Sequence, residues 1–379
     1  MKPFIKRLIK KLQHQNEKNL IRCIETTGSC RIDLTKNDYL CLRKHPNVLV
    51  GAETAQRQFG TGTGASPLIS GFLPCHKNLL TALKNWKGKP NGILFNSGFI
   101  ANQAILKHLP GPNDLILLDK LSHHSIIQAV LSGNVQFKSY PHLNLDRLEE
   151  LLIKNIRQYE TIFVITESVF SMDGDYPDLK RIANLKEKYP FILILDEAHA
   201  VGCFGPTGGG LAEAEDVLDS VDILVGTLSK ALGSMGGYVL TSSIEVIDYL
   251  VNFAGELIYS TFIPPAQAGA ALSAIELVRS LGKVREYPRK LGTNFRIQLR
   301  QAGWETNSFD SQIVPIIIGD NSETLKIKNI LRNVGICVGA VRPPTVSPGK
   351  ARLRLSLHAE TTPEHIKELI NILNSCRNL

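Results

Sequence analysis

Phe191-Ile-Leu-Ile-Leu-Asp196-Glu-Ala-His199 and, further along, Gly226-Thr227-Leu-Ser-Lys230-Ala-Leu-Gly233 are the two stretches whose reading decides the fold. The first is a short apolar run that ends in an acid, with a histidine three residues on. An apolar run this short fits a strand buried on both faces, as in a parallel sheet. Such a strand delivers Asp196 to the carboxyl edge of the sheet, where α/β proteins bind their ligands. The second stretch sets a lone lysine among small and hydroxyl-bearing residues. Pyridoxal 5'-phosphate (PLP) chemistry asks for this set: a lysine amine to hold the cofactor's aldehyde and a carboxylate to face its protonated pyridine nitrogen. The spacing therefore predicts Lys230 as the Schiff-base lysine and Asp196 as the ring-nitrogen partner. His199 then reaches the phenolic oxygen and Thr227 the phosphate. Strands ending in Asp also occur in nucleotide-binding and phosphotransfer folds, and a Ser-Lys-Ala turn is often merely solvated. The ordered pair carries more weight than either segment alone.

Outward from these segments, short apolar runs alternate with helical patterns. Candidate buried strands are Gly92 to Phe95, Leu115 to Leu118, Thr161 to Thr166, Phe191 to Leu195, Ile223 to Gly226 and Gly237 to Leu240. This alternation predicts a mostly parallel sheet. After Pro264-Pro265 a long helical stretch leads into Ile313 to Ile318, Ile336 to Ala340 and Arg352 to Leu357, the pattern of a smaller α+β lobe. The expected division is an N-terminal helix and arm over 1–45, a large α/β domain over 46–270 and a small C-terminal domain over 271–379. The chain has 379 residues, 43% of them hydrophobic, enough for a large core.

The net charge of +8 is spread along the chain with no recognition motif beside it, so nucleic acid is not expected as a partner. The densest basic cluster is the first twelve residues, whose Phe4, Ile5, Leu8, Ile9 and Leu12 recur at helical spacing. It lacks the pattern of a secretory signal or transit peptide. It is expected to be an amphipathic helix packed on its own protein rather than a membrane-surface helix. The seven cysteines show no CxxC pair or ligand spacing, so neither a disulfide framework nor a zinc site is indicated, and a reducing cytoplasm fits. Gly60-Thr-Gly62-Thr-Gly64 is only half a dinucleotide fingerprint: no convincing strand precedes it and its third glycine is misplaced. Ser97-Gly98-Phe99 before a helical pattern offers backbone N–H groups to a phosphate.

Over residues 33 to 359 the sequence resembles the α-oxoamine synthases, fold-type I PLP enzymes of aminotransferase-like architecture. The resemblance rests on Asn37-Asp-Tyr-Leu, Ser97-Gly-Phe-Ile-Ala-Asn-Gln-Ala, Asp119-Lys-Leu-Ser-His123, Glu167-Ser-Val-Phe-Ser171-Met-Asp-Gly and the two segments above. It implies a PLP-dependent acyltransferase with Gly98 and Phe99 at the phosphate. His123, rather than His124, would stack on the pyridine ring and Ser171 make a polar contact to the cofactor, with Asn37 and Glu167 supporting the site. It also implies a homodimer in which Ser260 and Thr261 reach the partner's phosphate. Leu257-Ile-Tyr-Ser-Thr261 with Pro264-Pro-Ala-Gln-Ala, Arg342-Pro-Pro-Thr345-Val and Ala351-Arg-Leu-Arg354-Leu resemble family members that condense L-alanine with a pimeloyl group carried on CoA or acyl carrier protein. By this resemblance Arg354 takes the alanine carboxylate, and Thr345 and Arg22 contact the acyl substrate. Ser66-Pro67-Leu68 departs from the family pattern, where a small or basic residue and then a histidine are more usual. That departure bears on the acyl-chain or carrier contacts and not on the cofactor chemistry.

Overall fold

The computed structural model describes residues 1–24, 26, 28 and 30–377. Seven strands form the main sheet: β2 (Asn91–Phe95), β3 (Leu115–Asp119), β4 (Gln136–Tyr140), β5 (Ile162–Glu167), β6 (Ile192–Asp196), β7 (Ile223–Thr227) and β8 (Gly237–Thr241). Their order is β2-β8-β7-β6-β5-β3-β4. β8 runs antiparallel to β2 and β7, and all other neighbours are parallel. Every residue of β3, β5, β7 and β8 is buried, as continuous apolar strands covered on both faces should be. Each Leu or Ile so buried contributes about 1.5–3 kcal/mol relative to exposure. The expected strands of this sheet all form, within a residue or two of the expected bounds, whereas the expected strand Ile336 to Ala340 is broken into Ile336–Cys337 and Gly339–Val341, which join different sheets. β4, Gln-Phe-Lys-Ser-Tyr, was not expected: it is an edge strand whose first four residues are not buried, so it carries no apolar run to read.

The chain divides into two compact units. One comprises Asn37–Ser171 and Asp175–Tyr287, and the other Met1–Lys36, Met172–Gly174 and Pro288–Leu379. The expected boundaries at 45 and 270 differ from this at both joins. Residues 271–287 stay with the large unit because the helix Pro265–Ser280 crosses the helix Pro46–Phe59 in backbone contact. A Cβ on Gly51 would stand 2.8 Å from the Gly269 carbonyl oxygen, and one on Gly269 only 2.2 Å from the Gly51 oxygen. Arg285 then bonds the Gly205 carbonyl at 3.0 Å.

The smaller unit gathers its N-terminal arm by pairing. β1 (Ile32–Asp33) lies parallel to β10 (Ile336–Cys337). Arg31 pairs with Glu368, and Asn321 donates to the Lys18 carbonyl at 3.1 Å. β11 (Gly339–Val341), β12 (Ala351–Ser356) and β9 (Ile313–Gly319) form an antiparallel sheet in that order. Residues 172–174 join this unit because Asp173 bonds Arg352 through its carboxylate and accepts from the Asn307 amide through its main-chain oxygen at 2.5 Å.

Two expectations are corrected. The helix Lys2–Glu17 forms, but none of its residues is buried, so its apolar stripe does not pack on this chain. Cys30 and Cys337, 307 residues apart, are joined in a disulfide with Cα atoms 5.9 Å apart. Only the β1/β10 pairing brings them together, so cysteine spacing could not reveal the bond. Cys23, Cys41, Cys75, Cys203 and Cys376 take part in no disulfide among the described residues. Thiol titration of denatured, unreduced protein should therefore count five thiols, and seven after reduction; seven in both conditions would refute the pairing.

Candidate active site

The carboxyl ends of β5, β6 and β7 carry Glu167, Asp196 and Thr227, with Glu167 in register with Asp196. These ends and the helix Gly98–His108 open on a cavity of about 210 Å³. It is lined by Ser97, Gly98, Phe99, Asn102, His123, Ser125, Glu167, Asp196, Ala198, His199, Thr227, Ser229 and Lys230. Eight residues given a role in the sequence thus meet in one place: Gly98, Phe99, His123, Glu167, Asp196, His199, Thr227 and Lys230.

Asp196, almost wholly buried, accepts from the Ala198 N–H at 2.9 Å through Oδ1 and from Asn102 Nδ2 at 2.8 Å through Oδ2. His199 is also buried, and its Nδ1 lies 2.6 Å from the Tyr39 hydroxyl, which leaves Nε2 as the other polar edge of the ring. Thr227 Oγ1 donates to the Gly236 carbonyl at 3.0 Å and accepts from the Ser229 N–H at 3.2 Å. Ser97 caps the helix Gly98–His108, its Oγ accepting from the Ile100 N–H at 3.2 Å. A Cβ at Gly98 would stand 3.3 Å from the Thr227 Cβ, so glycine lets the helix start approach the end of β7. The first-turn N–H groups of this helix make an anion-binding edge.

Glu167 is fully enclosed, and burial together with the nearby charge of Asp196 pushes its carboxyl well above the ordinary range. It accepts the His123 main-chain N–H at 2.5 Å, which opposes that shift only in part. His123 lines the cavity, and the protein packed around its imidazole lowers its basicity; Lys230 and His124 act in the same direction, against Asp196. Behind this loop, His142 bridges Asp119 (2.8 Å) and Asp175 (3.0 Å). Burial opposes the His142 cation, but the two carboxylates outweigh it and raise its pKa to about 10. Asp119 also accepts the Leu121 and Leu143 N–H groups, both at 2.8 Å, fixing the turn that leads to His123.

Other predicted residues lie elsewhere. Asn37, Ser171, Ser260 and Thr261 belong to the same unit but do not line the cavity. Asn37 Oδ1 accepts from the Tyr39 hydroxyl at 3.3 Å, and Asn96 Nδ2 donates to Ser260 Oγ and to the Thr261 carbonyl, both at 2.8 Å. In the smaller unit, Arg22 donates to Thr345 Oγ1 at 3.1 Å. Both line a second cavity of about 200 Å³ with Met172 and Arg342. Arg354 is buried and donates to Ser356 Oγ at 2.7 Å. Pro67–Gly71 forms a single wide π-helical turn in which the Ser66 carbonyl accepts the Ile69 and Gly71 N–H groups, with Leu68 and Ile69 exposed. Sequence reasoning gave no role to Asn102, Ser125 or Tyr39. Asn102 and Tyr39 sat inside quoted motifs, but only folding shows that each faces a predicted site residue.

The Aminotransferase class I and II family matches residues 31–373. The 8-amino-7-oxononanoate synthase of Citrifermentans bemidjiense is 39% identical over 92% of this chain and 90% of its own. The chain belongs to the α-oxoamine synthases. These are fold-type I enzymes that act by PLP-dependent decarboxylative condensation, and the expected aminotransferase-like fold, a large mixed-sheet domain with a smaller C-terminal one, is borne out. A serine palmitoyltransferase from S. paucimobilis, solved with a PLP–myriocin conjugate bound, superposes with a TM-score of 0.90 at 26% identity, covering 98% of this chain and 96% of its own. The 8-amino-7-oxononanoate synthase of Francisella tularensis superposes at 0.80 and 28% identity, covering 92% and 98%. The cavity fits the cofactor of this family: an amine, a carboxylate, two imidazoles, a hydroxyl and a helix start packed closely against the end of β7 at Gly98.

Because Glu167 is held above its ordinary range, the wild type loses stability as pH rises from about 4.5 through the folded-state value. Glu167→Gln keeps an acceptor for the His123 N–H and removes that titration. The thermal midpoint of the variant relative to wild type should therefore climb with pH across this window. A pH-independent difference would show that Glu167 does not titrate upward. Glu167→Ala, which leaves a buried N–H unpaired, should cost about 1–3 kcal/mol.

Proposed function

We propose that this protein is an 8-amino-7-oxononanoate synthase, which condenses L-alanine with a pimeloyl group carried on CoA or acyl carrier protein and releases carbon dioxide, a step of biotin biosynthesis. The observation that carries the choice within the family is 39% identity to the Citrifermentans bemidjiense synthase over nine-tenths of both chains.

PLP, when bound, supplies the electron sink that makes the alanine Cα proton and carboxylate labile. Lys230 would hold the cofactor through its aldehyde, and the same amine, when free, is the base that would remove the alanine Cα proton. Asp196 would face the pyridine nitrogen and keep it protonated, its carboxylate held in place by Asn102 and the Ala198 N–H. His199, fixed through Nδ1 by Tyr39, offers Nε2 to the phenolic oxygen. His123 would cover the ring, while Thr227 and the Gly98 and Phe99 N–H groups would hold the phosphate. Ser171, Asn37 and Glu167 support the site from outside or at its wall. By the family resemblance, Arg354 binds the alanine carboxylate, and Arg22 with Thr345 the acyl substrate. Arginine suits the first task because its planar fork can take a carboxylate bidentately.

The protein is proposed to work as a cytoplasmic homodimer, with Ser260 and Thr261 serving the partner's phosphate; their position beside Asn96, outside the cavity, suits that role. No helix of the described residues is long and apolar enough to cross a membrane. A second reading, condensation of a different amino acid with a longer acyl chain, is favoured by the TM-score of 0.90 to the serine palmitoyltransferase.

Thiol release by purified, PLP-loaded protein, given L-alanine or L-serine with a panel of acyl-CoAs and pimeloyl-acyl carrier protein, separates the two. Alanine-dependent release that is strongest with a pimeloyl donor is expected. A preference for L-serine and palmitoyl-CoA would sink the assignment. Lys230→Ala should lower turnover by at least about a thousandfold, the loss of a nucleophile and base together, and abolish the visible absorption of lysine-bound cofactor.

A further inference from the structure

We propose that Ser125 and Asn102 are positioning residues that hold His123 as the neutral Nε2–H tautomer and join it to Asp196 through a continuous chain of hydrogen bonds. The role this gives His123 over the cofactor rests on the function proposed above, whereas the chain of bonds does not.

The direction of each bond follows from chemistry. Ser125 is fully buried in the first turn of the helix His124–Ser132, and Asn102 is almost fully buried. Asn102 Nδ2 lies 2.8 Å from Asp196 Oδ2 and 3.0 Å from Ser125 Oγ. The amide orientation is fixed, because the flipped form would set a carbonyl oxygen against a carboxylate. Asn102 therefore donates to both neighbours. Ser125 Oγ, having accepted from Asn102, turns its own proton to His123 Nδ1 at 2.7 Å. The Ser125 main-chain N–H, at 3.2 Å, points to the same nitrogen, since His123 also caps this helix. Two donors converging on Nδ1 leave it no proton, so the ring's proton sits on Nε2.

The charged surroundings agree. Lys230 and His124 disfavour an imidazolium at His123, and Asp196 favours one. Glu167, bound to the His123 N–H, is pushed toward its neutral form and offers little compensating charge. Phe99 meets the ring edge-on with centroids 6.4 Å apart. To take a proton on Nδ1, the imidazole must turn the Ser125 hydroxyl away, and that hydroxyl already holds one bond from Asn102. The Asn102 amide is shared between Ser125 and Asp196. A ligand that draws on the Asp196 carboxylate is thereby felt at His123, and the Nε2–H edge remains the donor available to an oxygen of the substrate.

The test is side-chain 15N NMR of the histidines in cofactor-free protein, followed through a pH titration. His123 in the wild type is expected to show a protonated Nε2 and a bare Nδ1. Ser125→Ala should give a mixture of tautomers and raise the His123 titration by about half to one pH unit, the scale of one lost hydrogen bond to the neutral form. Ser125→Thr, which keeps the hydroxyl, should restore wild-type behaviour. Asn102→Ala, which frees the Ser125 hydroxyl to rotate, should also mix the tautomers and serves if the added methyl prevents folding. In loaded enzyme, the acid limb of kcat/KM should move up with Ser125→Ala by the same interval. A folded Ser125→Ala protein whose His123 keeps the wild-type tautomer and titration would overturn the proposal. Wild-type protein with the expected tautomer that binds no PLP would leave the relay standing and refute the function instead.

Discussion

A buried carboxylate sits at the centre of this structure. Asp196 is placed by an apolar strand at the edge of the main sheet and is almost wholly enclosed. Burying such a group costs several kcal/mol unless hydrogen bonds compensate. Much of the surrounding architecture supplies that compensation: the Asn102 amide from one helix and the Ala198 N–H from the following turn, with a cavity beside them in which the proposed function puts the cofactor's ring nitrogen. Its neighbour Glu167 shows the other outcome. With Asp196 alongside and no cation bonded to it, burial drives Glu167 toward the protonated form, and it serves as an acceptor for the loop that carries His123. Two acids in register on adjacent strands thus take different tasks because only one of them has donors enough.

That division extends outward. Asp119 ends β3 as Asp196 ends β6, and it too is buried; His142 answers it and reaches Asp175 with its other nitrogen. The imidazolium ties the turn before His123 to the segment after Ser171, so the loops at the sheet edge are braced by charge behind the site as well as by packing. Removing one partner from such a network leaves an uncompensated buried group, which is more costly than the pair is stabilising.

The smaller unit is assembled from stretches far apart in the chain. β1 pairs with β10, Cys30 bonds Cys337, and Arg342 takes the Asn19 and Ile21 carbonyls. These contacts bring Arg22 to Thr345, the two residues that the family resemblance assigns to the acyl substrate. In a reducing compartment the Cys30–Cys337 bond is the one covalent tie in this arm that can open, leaving the strand pairing and the arginine contacts to hold it.

The strands of the main sheet were legible in the sequence because a strand buried on both faces must be a short, unbroken apolar run. β4 was not, since an edge strand has no such requirement. The residues that line the cavity were legible because the PLP chemistry expected of them restricts the types to an acid after a strand and a lysine among small residues. Asn102, Ser125, His142 and Tyr39 could not be read in this way: each acts by facing one partner from a distant segment, and no local pattern marks such a meeting. The same holds for the disulfide, the exposed stripe of the first helix and the joins between the units, which depend on how elements pack. The sequence by itself determined the sheet and the reactive groups, because burial and cofactor chemistry act on residue types. Only the tertiary structure decided which donors answer each buried acid and which nitrogen of His123 carries its proton, because those depend on distances between groups the chain does not place side by side.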